Sequence, residues 1–242
     1  IALMPFFLAR HYLGTPEGTR AVLVALVAGG VAYSVPMLIE ARFSPQMNIW
    51  VYGFVQHDFF QTIRQGGFRP VVFLQHGLWV AFFTLMALLA ALAMLRDAPA
   101  AARPRAAAIL IYLFYMLLVC KSAGPLVYLV SLSPLLVFVG SRVQILVAAG
   151  LAALVIIYPI LRGAHLVPLE RILDFATSFS ADRAYSLQFR IENEELLLAR
   201  AQERPWFGWG GYGRNFMHNA VSGEMSNIAD GLWIIILGMN GW

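Results

Sequence analysis

Charged residues and cysteines are both scarce in this sequence. Only 12% of the 242 residues are charged and 60% are hydrophobic, whereas a soluble globular domain has about a quarter charged residues. This composition excludes an ordinary soluble domain and predicts a membrane protein. The single cysteine, Cys120, excludes an internal disulfide bond and a cysteine-based metal site. We interpret it as a small buried hydrophobic residue.

Motifs for binding nucleotides are also absent. The glycines between positions 208 and 213 follow a Pro-Trp-Phe turn rather than a strand, so they do not form a dinucleotide fingerprint, and no phosphate-binding loop occurs. The net charge of +4 comes from 17 Lys and Arg against 13 Asp and Glu. We expect this basic excess to hold loops on the cytoplasmic side of a membrane rather than to bind nucleic acid.

Hydrophobic runs predict an all-α fold, a polytopic transmembrane helical bundle with about seven full or partial membrane helices. Three runs have the roughly 20 residues needed to cross a bilayer, namely residues 21–39, 77–95 and 143–161. Two shorter runs occupy residues 106–119 and 125–139. Partial runs open and close the chain, so we expect it to be a fragment of a longer membrane protein.

These runs divide the chain into three parts. Residues 1–161 are expected to form transmembrane helices with a periplasmic loop at 40–76. Residues 162–229 are expected to form a large periplasmic loop that contains amphipathic helices, and residues 230–242 to start a further transmembrane helix.

The arginine-rich segment at 96–105 orients the predicted bundle. It carries three arginines against one acid, so the positive-inside bias places it in the cytoplasm. Alternation then places residues 10–20 and 141–142 inside, and the segments outside are 40–76, 121–124 and 162–229. This assignment requires both shorter runs to span the membrane; if one is re-entrant, the large loop changes side.

An amphipathic helix is predicted in the large loop at residues 187–204, with Ser186 as its N-cap. Arg190 and Glu194 are i,i+4 partners on it. One interpretation is a helix that lies on the membrane with solvated charges. The other is that Arg190 faces inward to hold an anion, because a guanidinium group binds phosphate through two parallel hydrogen bonds.

The basic residues of the large loop are all arginines, which favours anion recognition: Arg162, Arg171, Arg183, Arg190, Arg200, Arg204 and Arg214. The loop also contains His165 and His218. A lone histidine is more often a hydrogen-bonded structural residue than a catalytic one. Asp230 is a carboxylate at the mouth of an apolar segment. That position predicts either a functional site or a helix N-cap.

The loop at 40–76 carries a second group of polar candidates. Arg69 follows the segment Gly66-Gly67-Phe68 and precedes Pro70, a pattern that predicts a fixed turn that aims an arginine. The alternative is that the arginines and aromatic residues of this loop anchor it at the membrane interface. Its other candidates are Arg42, His57, Asp58 and Arg64.

The order of these motifs resembles the O-antigen ligase and O-antigen polymerase superfamily of bacterial envelope glycosyltransferases, in particular its exopolysaccharide polymerase-like branch. In that family a long periplasmic loop has an Arg-led amphipathic helix, a Pro-x-Phe-Gly-x-Gly turn, and a His-Asn-x-aromatic-Leu segment that ends in Gly. This sequence has Arg190, then Arg-Pro-Trp-Phe-Gly-Trp-Gly at 204–210, then Asp-Gly-Leu-Trp-Ile at 230–234, running to Gly241. The resemblance covers about residue 40 to the end. Asp230 stands at the family's histidine position, and the segment at 121–124 matches the family's Ser-Arg-Gly hairpin poorly.

The resemblance implies an inverting glycosyl transfer that uses no metal or other cofactor. The donor is an undecaprenyl-diphosphate-linked glycan, and a hydroxyl of an acceptor glycan or of lipid A core displaces the diphosphate. It implies Arg190 as a diphosphate ligand and Asp230 as the base, with His218 as the second choice. Further diphosphate ligands are expected among Arg64, Arg69 and Arg214.

The same resemblance implies a multi-pass protein of the bacterial inner membrane with its active site on the periplasmic side. Expected partners are the lipid bilayer and a chain-length regulator or other polysaccharide-assembly proteins. Polymerase and ligase remain alternatives. So do a lipid-linked glycan flippase, although the predicted spans carry almost no charge, and a non-catalytic membrane subunit.

Overall fold

The computed structural model describes residues 3–55, 59–64, 66–164, 166–179, 181–219, 223–227, 229 and 231–242. These residues are mostly helical, which confirms the predicted all-α character. Contacts divide the chain into two compact units, residues 1–144 and 145–242.

The first unit contains six α-helices, one 3₁₀ helix (Phe59–Thr62) and one short hairpin among its described residues. The helices are α1 (Leu3–Leu13), α2 (Pro16–Phe43), α3 (Met47–Tyr52), α4 (Gly77–Arg96), α5 (Arg103–Val119) and α6 (Ala123–Phe138). Helix α7 (Ser141–Gly163) leads into the second unit, which continues with α8 (Leu169–Phe179), α9 (Ala181–Gln202) and α10 (Leu232–Asn240).

Three of the described helices, α2, α4 and α7, are long and apolar enough to cross a membrane. They contain the three long hydrophobic runs of the sequence, and each extends beyond its run by one or more residues. The two shorter runs also form helices, α5 with 17 residues and α6 with 16. A helix needs about 20 residues to cross the hydrocarbon core without local adjustment.

Helix α4 is the centre of the first unit, because it packs against α2, α5 and α6. Small residues let α2 and α4 approach closely: a Cβ on Gly30 would lie 2.5 Å from the Cβ of Ala87. Leu88, Leu113 and Leu117 fill the adjoining core. Apolar contact therefore joins these helices along their length.

A buried carboxylate fixes the loop that follows α2. Glu40 is 1% exposed, and its Oε1 accepts a hydrogen bond from the backbone N–H of Met47 at 3.0 Å. Its Oε2 accepts from the N–H groups of Val71 and Val72 at 2.8 and 2.7 Å. Val72 has a φ of 53°, which is rare for a β-branched residue. The carboxylate thus holds both ends of the loop at 40–76 against α2.

That loop contains the only strands among the described residues, a hairpin that the sequence did not predict. Strands β1 (Ile63–Arg64) and β2 (Gly67–Phe68) are antiparallel. Lys121 Nζ donates to the carbonyl oxygen of Arg64 at 2.9 Å, and Arg69 Nη2 donates to Ser122 Oγ at 2.6 Å. The loops at 40–76 and 121–124 therefore lie at the same end of the first unit, as the predicted alternation requires.

The second unit is built around α9, which packs against α8 and α10. Its core consists of Leu197, Leu198, Ala201, Ile234 and Leu237. Helix α9 begins at Ala181, so the prediction of a start at 187 with Ser186 as N-cap is wrong. No glycine or proline occurs between 181 and 186, so nothing in the local sequence stops the helix from extending backwards.

Candidate anion-binding site

Helix α9 carries Arg190 into the wall of a cavity in the second unit. The cavity has a volume of about 240 Å³, and α9 supplies most of its lining. Tyr158 of α7 forms another part of the wall. The remaining lining residues are Ala229 and Gly231, from the chain leading into α10, and Ile234, from the first turn of α10. Arg190 therefore lines this cavity and is at the same time exposed to solvent.

The residues on either side of position 230 line the same cavity as Arg190. Asp230 itself lies outside the described residues, but Ala229 and Gly231 on either side of it both line the cavity. Two segments that are about 40 positions apart in the sequence thus contribute to one cavity.

Glu194 also belongs to the site, and the sequence did not predict its hydrogen-bond partners. It lines the cavity one helical turn after Arg190. Its Oε1 accepts hydrogen bonds from Arg162 Nε at 2.9 Å and from the Tyr158 hydroxyl at 3.1 Å. The Tyr158 ring in turn packs edge-on against Trp233, with centroids 5.4 Å apart. Glu194 thereby joins α9 to α7, and Tyr158 joins α7 to α10.

Arg162 lies behind this wall and is buried. The residue is 1% exposed, and its Nη1 lies 3.9 Å from Glu195 Oε1. Its Nη2 has no hydrogen-bond partner in the part of the chain that the structure describes. The sequence places Arg162 at the end of a hydrophobic run, which predicts a loop residue, and nothing local indicates that it is buried.

The Pro-Trp-Phe-Gly turn supports α10 from its carboxyl end. The N–H groups of Trp209 and Gly210 donate to the carbonyl oxygens of Gly238 and Met239 at 2.8 and 2.9 Å, and Trp242 N–H donates to Pro205 at 2.7 Å. Gly208 has a φ of +58°, and a Cβ there would collide with the backbone of Met239. The close backbone pairing thus requires a glycine at this position.

Two arginines of the large loop contact this turn. The Arg200 guanidinium lies 3.3 Å from the centroid of the Trp209 ring, and that of Arg204 lies 4.3 Å from it. The Trp209 indole N–H donates to the carbonyl oxygen of Arg200 at 2.7 Å. These cation–π contacts give Arg200 and Arg204 a structural role at this turn.

Arg214 and His218 do not line the Arg190 cavity. Arg214 is exposed and its Nε donates to the carbonyl oxygen of Gly211 at 3.1 Å. His218 is also exposed, and its backbone forms an isolated bridge with Met225. The geometry therefore groups neither residue with Arg190.

Arg64 and Arg69 belong to the first unit. Arg69 is 4% exposed and bonded to Ser122. Burial, and then the positive charge of Arg64, lower the pKa of its guanidinium from the usual value. Arg64 is exposed and lines a cavity of about 450 Å³ together with Lys121. The other candidates of this loop, His57 and Asp58, lie outside the described residues, as does His165 of the large loop.

Comparison with known proteins identified no relative of this chain. No protein-family model matches the chain, and neither the curated proteins nor the solved structures contain a match. The chemistry of the Arg190 cavity is therefore the basis on which a function can be inferred.

Proposed function

We propose that the chain belongs to an inner-membrane glycosyltransferase that polymerises a glycan carried on undecaprenyl diphosphate. The observation that carries this proposal is the cavity in which Arg190 meets the chain on both sides of position 230. A ligase that transfers the glycan to lipid A core is the alternative with the same donor chemistry.

A diphosphate leaving group requires positive charge where it departs. As the acceptor oxygen bonds to the anomeric carbon, the bond to the diphosphate breaks and the diphosphate takes the electron pair. An arginine in the wall of a cavity can bind two of its oxygens at once and stabilise the charge that develops. Arg190 is at the position to do so for a ligand in this cavity.

The acceptor hydroxyl must also lose its proton. We assign this step to Asp230, because both of its neighbours line the cavity. A carboxylate at the mouth of a membrane helix is costly to place and is a functional candidate for that reason. His218, the second choice from the sequence, does not line the cavity.

The depth of the cavity suits a lipid-linked donor. Tyr158 lies within the last two turns of α7, a helix long and apolar enough to span a membrane. On the proposal that α7 spans the bilayer, a cavity beside its end lies near the lipid headgroups, where the diphosphate of a polyprenyl lipid is also found. We place this end on the periplasmic side, in accordance with the arginine distribution of the loops.

Reconstitution of the full-length protein tests the proposal. Vesicles would contain the protein and an undecaprenyl-diphosphate-linked oligosaccharide, and the products would be separated by size. A ladder of longer lipid-linked chains indicates a polymerase, whereas transfer that requires added lipid A core indicates a ligase.

Arg190→Lys is the diagnostic variant for this assay. We expect it to lose about tenfold or more of the rate, since a point charge does not replace two parallel hydrogen bonds. Arg171→Lys is the matched control, because Arg171 lines a different cavity between α8 and α9. Near-normal product from Arg190→Lys would contradict the proposal.

A further inference from the structure

The ion pair between Arg162 and Glu194 is incomplete. Arg162 uses Nε toward Glu194 Oε1 at 2.9 Å, and within the described residues its Nη2 has no partner although the side chain is only 2% exposed. A guanidinium facing a carboxylate usually forms two parallel bonds. A buried donor left without an acceptor destabilises the fold. Such an atom calls for an explanation, and an absent ligand is one.

Glu194 is also out of place in a cavity for an anion. It lines the same cavity as Arg190, whereas Arg162 is bonded behind it and does not contribute to the lining. A carboxylate one turn from Arg190 opposes the entry of a diphosphate. Its side chain is 18% exposed, so solvent and ligand can reach it.

We propose that Glu194 is an internal substitute for the diphosphate of the donor. When the diphosphate enters, its oxygens accept hydrogen bonds from the N–H groups of Arg162, and the Glu194 carboxylate turns toward solvent. Arg162 and Arg190 then hold the diphosphate together, and the Tyr158 hydroxyl, released from Glu194, donates to it as well. This inference rests on the proposed function and supplies the second arginine that it requires.

The exchange is favoured because a diphosphate offers more oxygens and more negative charge than a carboxylate does. A carboxylate has two oxygens, and Oε1 of Glu194 already receives both Arg162 Nε and the Tyr158 hydroxyl. A diphosphate has more oxygens and more charge, so it can accept from Nη2 while it still accepts from Nε.

Affinity for farnesyl diphosphate, a soluble polyprenyl diphosphate, tests the exchange. The full-length protein in nanodiscs would be titrated calorimetrically. We expect Glu194→Gln to bind about tenfold more tightly than the wild type, equivalent to about 1.4 kcal/mol, because the competing anion is removed. Glu195→Gln is the control for net charge: Glu195 lies 3.9 Å from Arg162, is 53% exposed in its side chain and does not line the cavity. It should change the affinity by less than about twofold.

A second variant tests the exchange in case Glu194→Gln does not fold. Arg162→Met combined with Glu194→Gln leaves no unpaired buried charge, and such replacements are often tolerated. We expect this double variant to bind about tenfold more weakly than the wild type. Unchanged or weaker binding by a folded Glu194→Gln, or wild-type binding by the double variant, would show that the pair is only a structural contact.

Arg190→Met separates the two proposals. If it leaves the affinity for farnesyl diphosphate unchanged, the proposed function is wrong. If it weakens binding while Glu194→Gln has no effect, the function stands and only the exchange is refuted.

Discussion

Cys120 illustrates how burial governs the reactivity of a single residue. It is 0% exposed at the end of α5, and burial raises the pKa of its thiol to about 11. Its Sγ donates a weak hydrogen bond to the carbonyl oxygen of Met116 at 3.3 Å. The interpretation from sequence, a small buried hydrophobic residue, is in keeping with this environment.

We expect Cys120 to resist maleimide in the folded protein. Only the thiolate reacts, and with a pKa of about 11 roughly one thiol in a thousand is ionised at pH 8. Labelling should rise steeply as the pH increases toward 11 and should become complete after unfolding in detergent. Rapid labelling at pH 7 in the folded state would show that the thiol is accessible and contradict this assignment. Labelling followed by mass spectrometry measures both states.

At the scale of elements, the turn at 204–210 and α10 are one structural piece. Gly208→Ala tests this, because the new Cβ would meet the backbone of Met239. Gly223→Ala is the matched control: Gly223 has a similar φ of +69°, but a Cβ there has nothing within 4 Å. The control isolates the cost of a left-handed backbone, about 1–2 kcal/mol.

We expect Gly208→Ala to lower the unfolding temperature of the second unit by more than Gly223→Ala does, and to abolish the proposed glycosyl transfer. The reason is that α10 must shift, and with it the lining at Gly231 and Ile234. Thermal unfolding in nanodiscs and the polymer assay provide the two measurements. Equal effects of both alanines would mean that the backbone pairing is dispensable.

The elements were predictable to different degrees. Helices α2, α4 and α7 follow from apolar runs of about 20 residues, which few other structures accommodate. The hairpin at 63–68 has strands of two residues each, too short for an alternating pattern to show. The start of α9 was missed because Ser186 is a good N-cap residue by type, and the helix continues through it.

The candidate site was predictable only where its residues belong to a local motif. Arg190 and the surroundings of position 230 follow from motif order. The hydrogen bond between Arg162 and Glu194 joins residues 32 positions apart in the sequence. Helical spacing relates Glu194 only to residues on the same helix, so it predicted Arg190 as the partner. Tertiary packing decides such pairs, and no spacing rule reveals them.

At the scale of the whole molecule, the arrangement of loops in the first unit can be checked from outside the membrane. The contacts of Lys121 and Ser122 place the loops at 40–76 and 121–124 at one end of the helices. At the other end, Arg96 Nη1 donates to the carbonyl oxygen of Leu136 at 2.7 Å. With our proposed orientation, the first end faces the periplasm and the second the cytoplasm.

Single cysteines introduced at exposed positions should report this arrangement. Gln61→Cys and Ala123→Cys should react with a membrane-impermeant maleimide in intact spheroplasts, whereas Ala100→Cys should react only after permeabilisation. The buried Cys120 serves as an internal blank in each variant. Labelling of Gln61→Cys and Ala123→Cys from opposite sides would contradict the contacts, and labelling of both only after permeabilisation would reverse the orientation.

The pairing of the turn with the end of α10 has a consequence for evolution. Backbone bonds join Trp209 to Gly238 and Gly210 to Met239, so the chain between them is a closed ring whose ends are already held. The entropy lost on closing such a ring grows only with the logarithm of its length, and doubling the length costs about 0.6 kcal/mol. Insertions and deletions in the part of the ring before Ala229, ahead of the residues that line the cavity, therefore change stability little. We expect relatives of this protein to differ in length mainly there, where added residues can contact new acceptors without disturbing Arg190.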